Sequence, residues 1–157
     1  MRTEFGAPRT NCSCKMCRLN CKVMPGYLIP ADLERMIPAG ADPFRWAEEN
    51  LLASPGALVM KRGKSFRIPT LVPATKPDGS CIHLTKDERC DIHDVAPFGC
   101  AFFDCGPEPP GVANQGLAAV YQAHASQSLY YHLVVHLNYK GLTQKAPEKL
   151  RAVMRAS

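Results

Sequence analysis

The sequence predicts a small single domain of the α+β class, in which cysteine-rich metal-binding loops join a short antiparallel sheet and helices pack over both. Three observations support this prediction. The chain has 157 residues, 46% of them hydrophobic, which is enough to bury a core without disulfide bonds. Two strand-like segments are separated by a turn sequence and flanked by helix-like segments. Eight cysteines fall into two groups, in segments that lack helix or strand periodicity.

The N-terminal part is predicted to begin with a flexible arm and to continue with two short helices. Residues 1–11 show no periodic pattern, and the domain core is expected to span residues 12–139. Residues 30–37 carry apolar side chains at helical spacing and predict the first of these helices. The next helix begins at Asp42, which can cap it, with Pro43 at the first helical position.

The middle of the chain predicts a hairpin, and the C-terminal part predicts one long helix. Residues 57–61 and 65–69 are strand-like, and an Arg-Gly-Lys sequence between them favours a turn. Residues 114–139 contain no proline and only one glycine, which predicts a single helix that Gly141 ends. Because this segment is apolar over much of its circumference, it is expected to lie against the core.

The net charge of +5 at pH 7 comes mostly from the C-terminal end. Residues 140–157 hold five basic residues and one acid, which leaves +1 for the rest of the chain. This end is predicted to form a basic amphipathic helix with a solvated face, and nucleic acid is not an expected partner. No apolar run reaches membrane-spanning length, so no membrane partner is expected. The first residues show no signal-peptide pattern, and the reducing cytoplasm is the expected compartment.

The two cysteine groups predict metal binding. The first group has the spacing C-x-C-x2-C-x3-C and consists of Cys12, Cys14, Cys17 and Cys21. The second group is looser and consists of Cys81, Cys90, Cys100 and Cys105. In a reducing compartment, clustered cysteines act as ligands or redox groups rather than disulfides. Free cysteines packed in the core are the alternative, which eight clustered thiols disfavour. All eight cysteines are therefore predicted metal ligands.

All-sulfur ligation excludes magnesium and calcium and leaves zinc, iron–sulfur clusters or copper(I). The run from Cys14 through Cys17 to Cys21 partly resembles the bacterial ferredoxin run, and the chain has no zinc-ribbon knuckle. These features favour an iron–sulfur cluster of the 4Fe-4S type, with zinc as the other interpretation. The spacing leaves open whether the second group forms its own site or lends two thiolates to the first.

The order of the cysteine segments resembles a known family. The tight N-terminal run is followed by a DGSCIHL sequence at residues 78–84 and by a CDIHDVAPFGCAFF sequence at residues 90–103. This order is similar to the CxxCxxCC (YkgJ-type) cysteine-cluster family, a zinc- or iron-chelating domain. The resemblance implies metal binding by the cysteines. His93 stands where the family has an aromatic residue, and Ala96 and Ala101 stand where it has arginines.

The five histidines are the other candidate ligands in the sequence. His124, His132 and His136 fall on one row of the predicted long helix. They are expected to form hydrogen bonds rather than a metal site, because no carboxylate follows at the HExxH spacing. His83 and His93 flank cysteines of the second group, where either could donate a hydrogen bond to a thiolate or serve as a ligand.

The sequence therefore indicates a metal-binding protein that uses clustered thiolates, with electron transfer or redox sensing as its role if the metal is an iron–sulfur cluster. A structural zinc module that presents a surface to a protein partner is a second interpretation. Some members of the family that the chain resembles are linked to methylation of flagellin lysines through an iron–sulfur cluster. This implies a protein-modifying enzyme as a third interpretation.

Overall fold

The computed structural model describes residues 5–10, 12, 14–23, 25–103, 105–107 and 109–144, and it confirms the α+β class. The described residues form six α-helices, one two-stranded sheet and one 3-10 helix at His93–Val95. In chain order the α-helices and strands are α1 Lys15–Val23, α2 Pro30–Met36, α3 Pro43–Asn50, β1 Leu51–Lys61, β2 Lys64–Pro73, α4 Phe98–Ala101, α5 Val112–Ala125 and α6 Leu129–Tyr139. No described helix combines the length and the apolar character that crossing a membrane requires.

The hairpin is longer than the sequence suggests. β1 and β2 pair in antiparallel register from Leu51 opposite Pro73 to Lys61 opposite Lys64, where a two-residue turn with positive φ closes them. A Pro-Gly sequence such as the one after Ser54 usually separates two elements, but here it forms a bulge within β1. Gly56 has φ of +77°, and a Cβ there would lie 1.7 Å from the Ile68 carbonyl oxygen. Only glycine therefore fits this bulge.

The core lies between the inner half of the hairpin and the helices. Its fully buried members include Leu28, Leu51, Leu71, Phe98, Val120, Leu133 and Leu137. The buried Tyr130 hydroxyl on α6 donates to the Leu28 carbonyl (2.6 Å) and accepts from the Leu71 N–H (2.8 Å). Burial raises the pKa of Tyr130, so its hydroxyl stays protonated and able to donate. This side chain joins α6 to the sheet.

The prediction of one long C-terminal helix is not confirmed, because the segment forms α5 and α6 with a break at residues 126–128. Gln127 has φ of +50°, and the two serines beside it bond backward to carbonyls of α5. Serine side chains compete with helical hydrogen bonds in this way. Most of the predicted basic C-terminal helix lies outside the described residues, which end at Gln144.

The described part of the N-terminal arm packs on the core, although the sequence suggests a flexible segment. The Phe5 ring meets Phe98 and Phe102 edge-on, with ring centroids 5.0 and 5.3 Å apart. The Thr10 N–H donates to the Ala101 carbonyl at 2.7 Å. These contacts bring the arm, including Arg9, alongside α4.

A buried carboxylate fixes α4 to α2. Asp32 is fully buried, and its Oδ2 accepts from the N–H groups of Ile29 and Phe98, both at 2.9 Å. Its Oδ1 accepts from Arg35 at 3.1 Å. One side chain thus satisfies the first N–H groups of both helices, α4 included. No sequence motif marks Asp32, although this residue sets the position of the helix that carries Cys100.

Candidate metal centre

Four cysteine sulfurs lie close enough together to hold a metal ion. These are Cys12, Cys14, Cys17 and Cys105, and their sulfurs all lie within 4.8 Å of one another. We call them the outer set, because Cys17 is half-buried and the other three are exposed. Cys105 Sγ lies 3.7 Å from Cys12 Sγ and 3.5 Å from Cys14 Sγ, and Cys14 Sγ lies 3.6 Å from Cys17 Sγ. Among the described residues, this is the only such group of three or more histidine, cysteine or acidic side chains.

Two distant parts of the chain build the outer set. Cys14 immediately precedes α1 and Cys17 lies in its first turn, so the two sulfurs face the same point. The N–H of Cys12 donates to the Thr10 hydroxyl at 3.1 Å. Cys105 comes from the segment after α4. The sequence grouped it with Cys81, Cys90 and Cys100, whereas the structure places it with the N-terminal cysteines.

The thiols of the outer set differ in acidity in this arrangement. The N–H of Cys17 and hydrogen bonds from the neighbouring thiols lower the pKa of Cys14 to about 6. Burial and the thiol contacts raise the pKa of Cys17 to about 12, and the contacts with Cys14 and Cys12 raise the pKa of Cys105. Cys14 is therefore a thiolate at neutral pH and the first ligand available to a metal.

The other four cysteines surround a neighbouring cleft. We call Cys21, Cys81, Cys90 and Cys100 the inner set; all four line a cleft of about 860 Å³. No three of their sulfurs lie within 4.8 Å of one another, so the inner set is more open than the outer set. Burial raises the pKa of each of them, that of Cys81 to about 11. Their role as metal ligands stays a prediction.

Short backbone contacts hold the inner set together. The Cys81 N–H donates to the Cys21 carbonyl at 2.7 Å, which fixes the last turn of α1 to the loop after β2. Within that loop, isolated bridges pair Thr75 with Cys81 and Leu84 with Cys90. Ion pairs from Arg18 and Lys22 on α1 to Glu88 lie across the same loop. The inner set therefore joins α1, the loop and α4.

The helical histidines have separate protein partners. His124 on α5 donates through Nε2 to the Pro69 carbonyl at 2.7 Å. His136 on α6 contacts Glu48 Oε1 at 2.8 Å, and its ring packs edge-on against Phe44. Because α5 and α6 are separate helices, the row of histidines that the sequence suggested does not form. The expected hydrogen-bonding role is what His124 and His136 show.

The contact between His136 and Glu48 predicts a pH-dependent contribution to stability. His136 and Lys140 lower the pKa of Glu48 from 4.5, so the carboxylate is favoured by folding. Its stabilising effect should be complete above pH 4.5 and be lost as the pH falls through the lower folded pKa. Glu48→Gln should therefore lower the urea midpoint at pH 7 and converge with wild type at low pH. Glu49→Gln, on the same helix with only an exposed contact to Arg45, is the control and should leave the midpoint nearly unchanged.

Comparisons with protein-family models, with curated proteins and with solved structures found no match to this chain. The case for a metal centre therefore rests on the geometry of the cysteines. That geometry shows a four-thiol group able to hold a metal ion.

Proposed function

We propose that the protein binds one tetrahedral metal ion through the outer set, zinc first and a single iron second. The close approach of the four sulfurs carries the proposal, since three of their separations are 3.5 to 3.7 Å and all lie within 4.8 Å. Zinc–sulfur bonds of about 2.3 Å in a tetrahedron place the sulfurs about 3.8 Å apart. An ion could thus enter with very little movement of the side chains.

An iron–sulfur cluster, which the sequence favoured, fits the outer set less well. In a four-iron cluster each cysteine binds a different iron, so the cysteine sulfurs stand farther apart than around one ion. The close spacing of the outer set supports a mononuclear centre. The resemblance to the CxxCxxCC family is consistent with either metal, and membership of that family is part of this proposal.

The proposed role of this ion is to fasten two distant segments while remaining accessible. Cys17 on α1 and Cys105 are far apart in sequence, so one ion would join the start of the chain to the segment after α4. Three of the four ligands are exposed, which leaves the ion within reach of a metal donor or acceptor. Transfer of a soft metal ion to or from a protein partner is the activity this arrangement supports best.

Metal analysis of protein purified without oxygen tests the proposal. We expect colourless zinc protein, or protein with one iron at this site, and cobalt substitution should give the intense visible absorption of tetrahedral thiolate coordination. Cys105→Ser should lose one equivalent of metal. Met16→Ser, a sulfur-to-hydroxyl change at an exposed position of α1, is the matched control and should keep it. Full metal content in Cys105→Ser would contradict the proposal.

A further inference from the structure

Two half-buried side chains near the inner set carry buried nitrogen atoms that have no hydrogen-bond partner. Among the described residues, the only buried side-chain nitrogen or oxygen atoms without a partner are Arg9 Nε, Arg9 Nη2 and His83 Nε2. A buried donor without an acceptor costs about 1–3 kcal/mol, and more when it is charged. A folded protein keeps such atoms only where something else satisfies them. The two unpartnered nitrogens of Arg9 are donors, so an acceptor is expected beside them.

Both side chains face the inner set. The positive charge of Arg9 lies near enough to Cys90 to lower its pKa against the effect of burial. His83 lines the same cleft as the four inner thiols, two residues after Cys81. Its Nδ1 donates to Asp91 Oδ1 at 3.1 Å, which fixes the ring and leaves Nε2 buried on the other side.

The backbone around the inner set is arranged to stabilise thiolates. Burial raises the pKa of Cys81, Cys90 and Cys100, and the N–H groups of His83, Ile92 and Gly26 at their sulfurs act in the opposite direction. Hydrogen bonds of this kind favour the charged form of the acceptor. For neutral buried thiols such donors would have little to stabilise. With thiolates bound to metal, each would have an anionic acceptor.

From these contacts we propose that the inner set is a second metal site, whose bound thiolates accept hydrogen bonds from Arg9. Four thiolates around one zinc ion carry a net charge of two minus, as do four thiolates around an oxidised four-iron cluster. The guanidinium of Arg9 offsets one of these negative charges. Buried anions are tolerated when paired in this way.

The number of metal centres per chain can be measured on the wild-type protein. Protein saturated with cadmium should bind two cadmium ions at separate sites. It should give two cadmium NMR signals typical of thiolate coordination. If the inner set instead takes an iron–sulfur cluster, reconstitution with iron and sulfide should give acid-labile sulfide and brown protein, with one mononuclear ion remaining. One metal centre per chain in both experiments would overturn the proposal.

Cysteine variants separate this proposal from the one for the outer set. At saturating metal, Cys90→Ser should lose the inner centre and keep the outer one, whereas Cys105→Ser should do the reverse. Loss of metal in Cys105→Ser alone would leave the outer site standing and refute the inner one. Loss of metal in Cys90→Ser alone would support the inner site and refute the outer one.

Arg9 provides the more specific test, because it is not a ligand. Arg9→Met should fold and bind metal, but release metal from the inner set to a chelator about tenfold faster, as expected for loss of a charged hydrogen bond. The release rate from the outer set should not change, and Arg9→Lys should restore part of the retention. Arg45→Met, at an exposed arginine of α3, is the matched control. Equal inner-set release rates in Arg9→Met and wild type would refute the role of Arg9.

Discussion

Removal of the bound metal should unfold α1 and release residues 75–91, while the hairpin and the remaining helices stay folded. No residue of α1 is buried, and a helix of nine residues is marginal in water on its own. Its ion pairs to Glu88 are partly exposed and contribute little. Hydrogen bonds between thiols are also weak. The cysteine ligands on α1 are therefore its main anchors, and structural zinc can contribute on the order of 10 kcal/mol.

Circular dichroism and limited proteolysis check this expectation. The metal-free protein should lose helical signal equivalent to about one short helix and be cut within residues 75–91. Fluorescence of Trp46 on α3, the only tryptophan, should stay native because the core around it contains no ligand. Identical cleavage of the metal-free and metal-bound forms would show that packing, rather than metal, holds this region.

Gly26→Ala should destabilise the protein by more than about 3 kcal/mol and empty the inner set, since overpacking against backbone cannot relax. A Cβ at Gly26 would lie 2.2 Å from the carbonyl carbon of Gly99 and 2.6 Å from the nitrogen of Cys100. The Gly99 N–H donates to the Tyr27 carbonyl at 2.9 Å, so the two segments cannot separate without losing this bond. Their close approach is what places Cys100 beside α1.

Gly40→Ala is the matched control for this substitution. Gly40 has φ of +79° and nothing within 4 Å of the added methyl group. This variant should be destabilised only by the strain of an alanine in the left-handed conformation, about 1–2 kcal/mol, and should keep its metal. Denaturation midpoints and metal content measured side by side distinguish the two. Equal losses of stability and of metal in the two variants would show that the close contact between Gly26 and Gly99 does not position the inner set.

The parts of the fold that depend on local chemistry were predictable. The N-cap at Asp42 is present, with its carboxylate accepting from the Phe44 N–H at 3.0 Å. The hairpin turn was expected because glycine follows a residue that can adopt positive φ. The full length of β1 was not predictable, because a Pro-Gly pair looks the same whether it ends a strand or forms a bulge. Likewise, helical periodicity cannot reveal that Gln127 adopts a left-handed conformation.

The candidate ligands were predictable, but their grouping was not. Cysteine clustering in sequence identified the chemistry, whereas the pairing of Cys105 with the outer set and of Cys21 with the inner set depends on tertiary contacts. Arg9 was missed because it belongs to no motif. Its one sequence signal is its place three residues before Cys12, and its burial depends on the packing of Phe5 against the core.

Because α1 presents Cys17 to the outer set and Cys21 to the inner set, one turn of helix links the two proposed sites. Ligands four residues apart adopt their relative positions only when that turn is helical. Binding of the first ion therefore includes the entropic cost of ordering α1, and binding of the second ion does not. The second ion should bind more tightly than the first, so loading would be cooperative. Under limiting metal, the population would divide between empty and doubly filled molecules, and half-filled ones would be scarce.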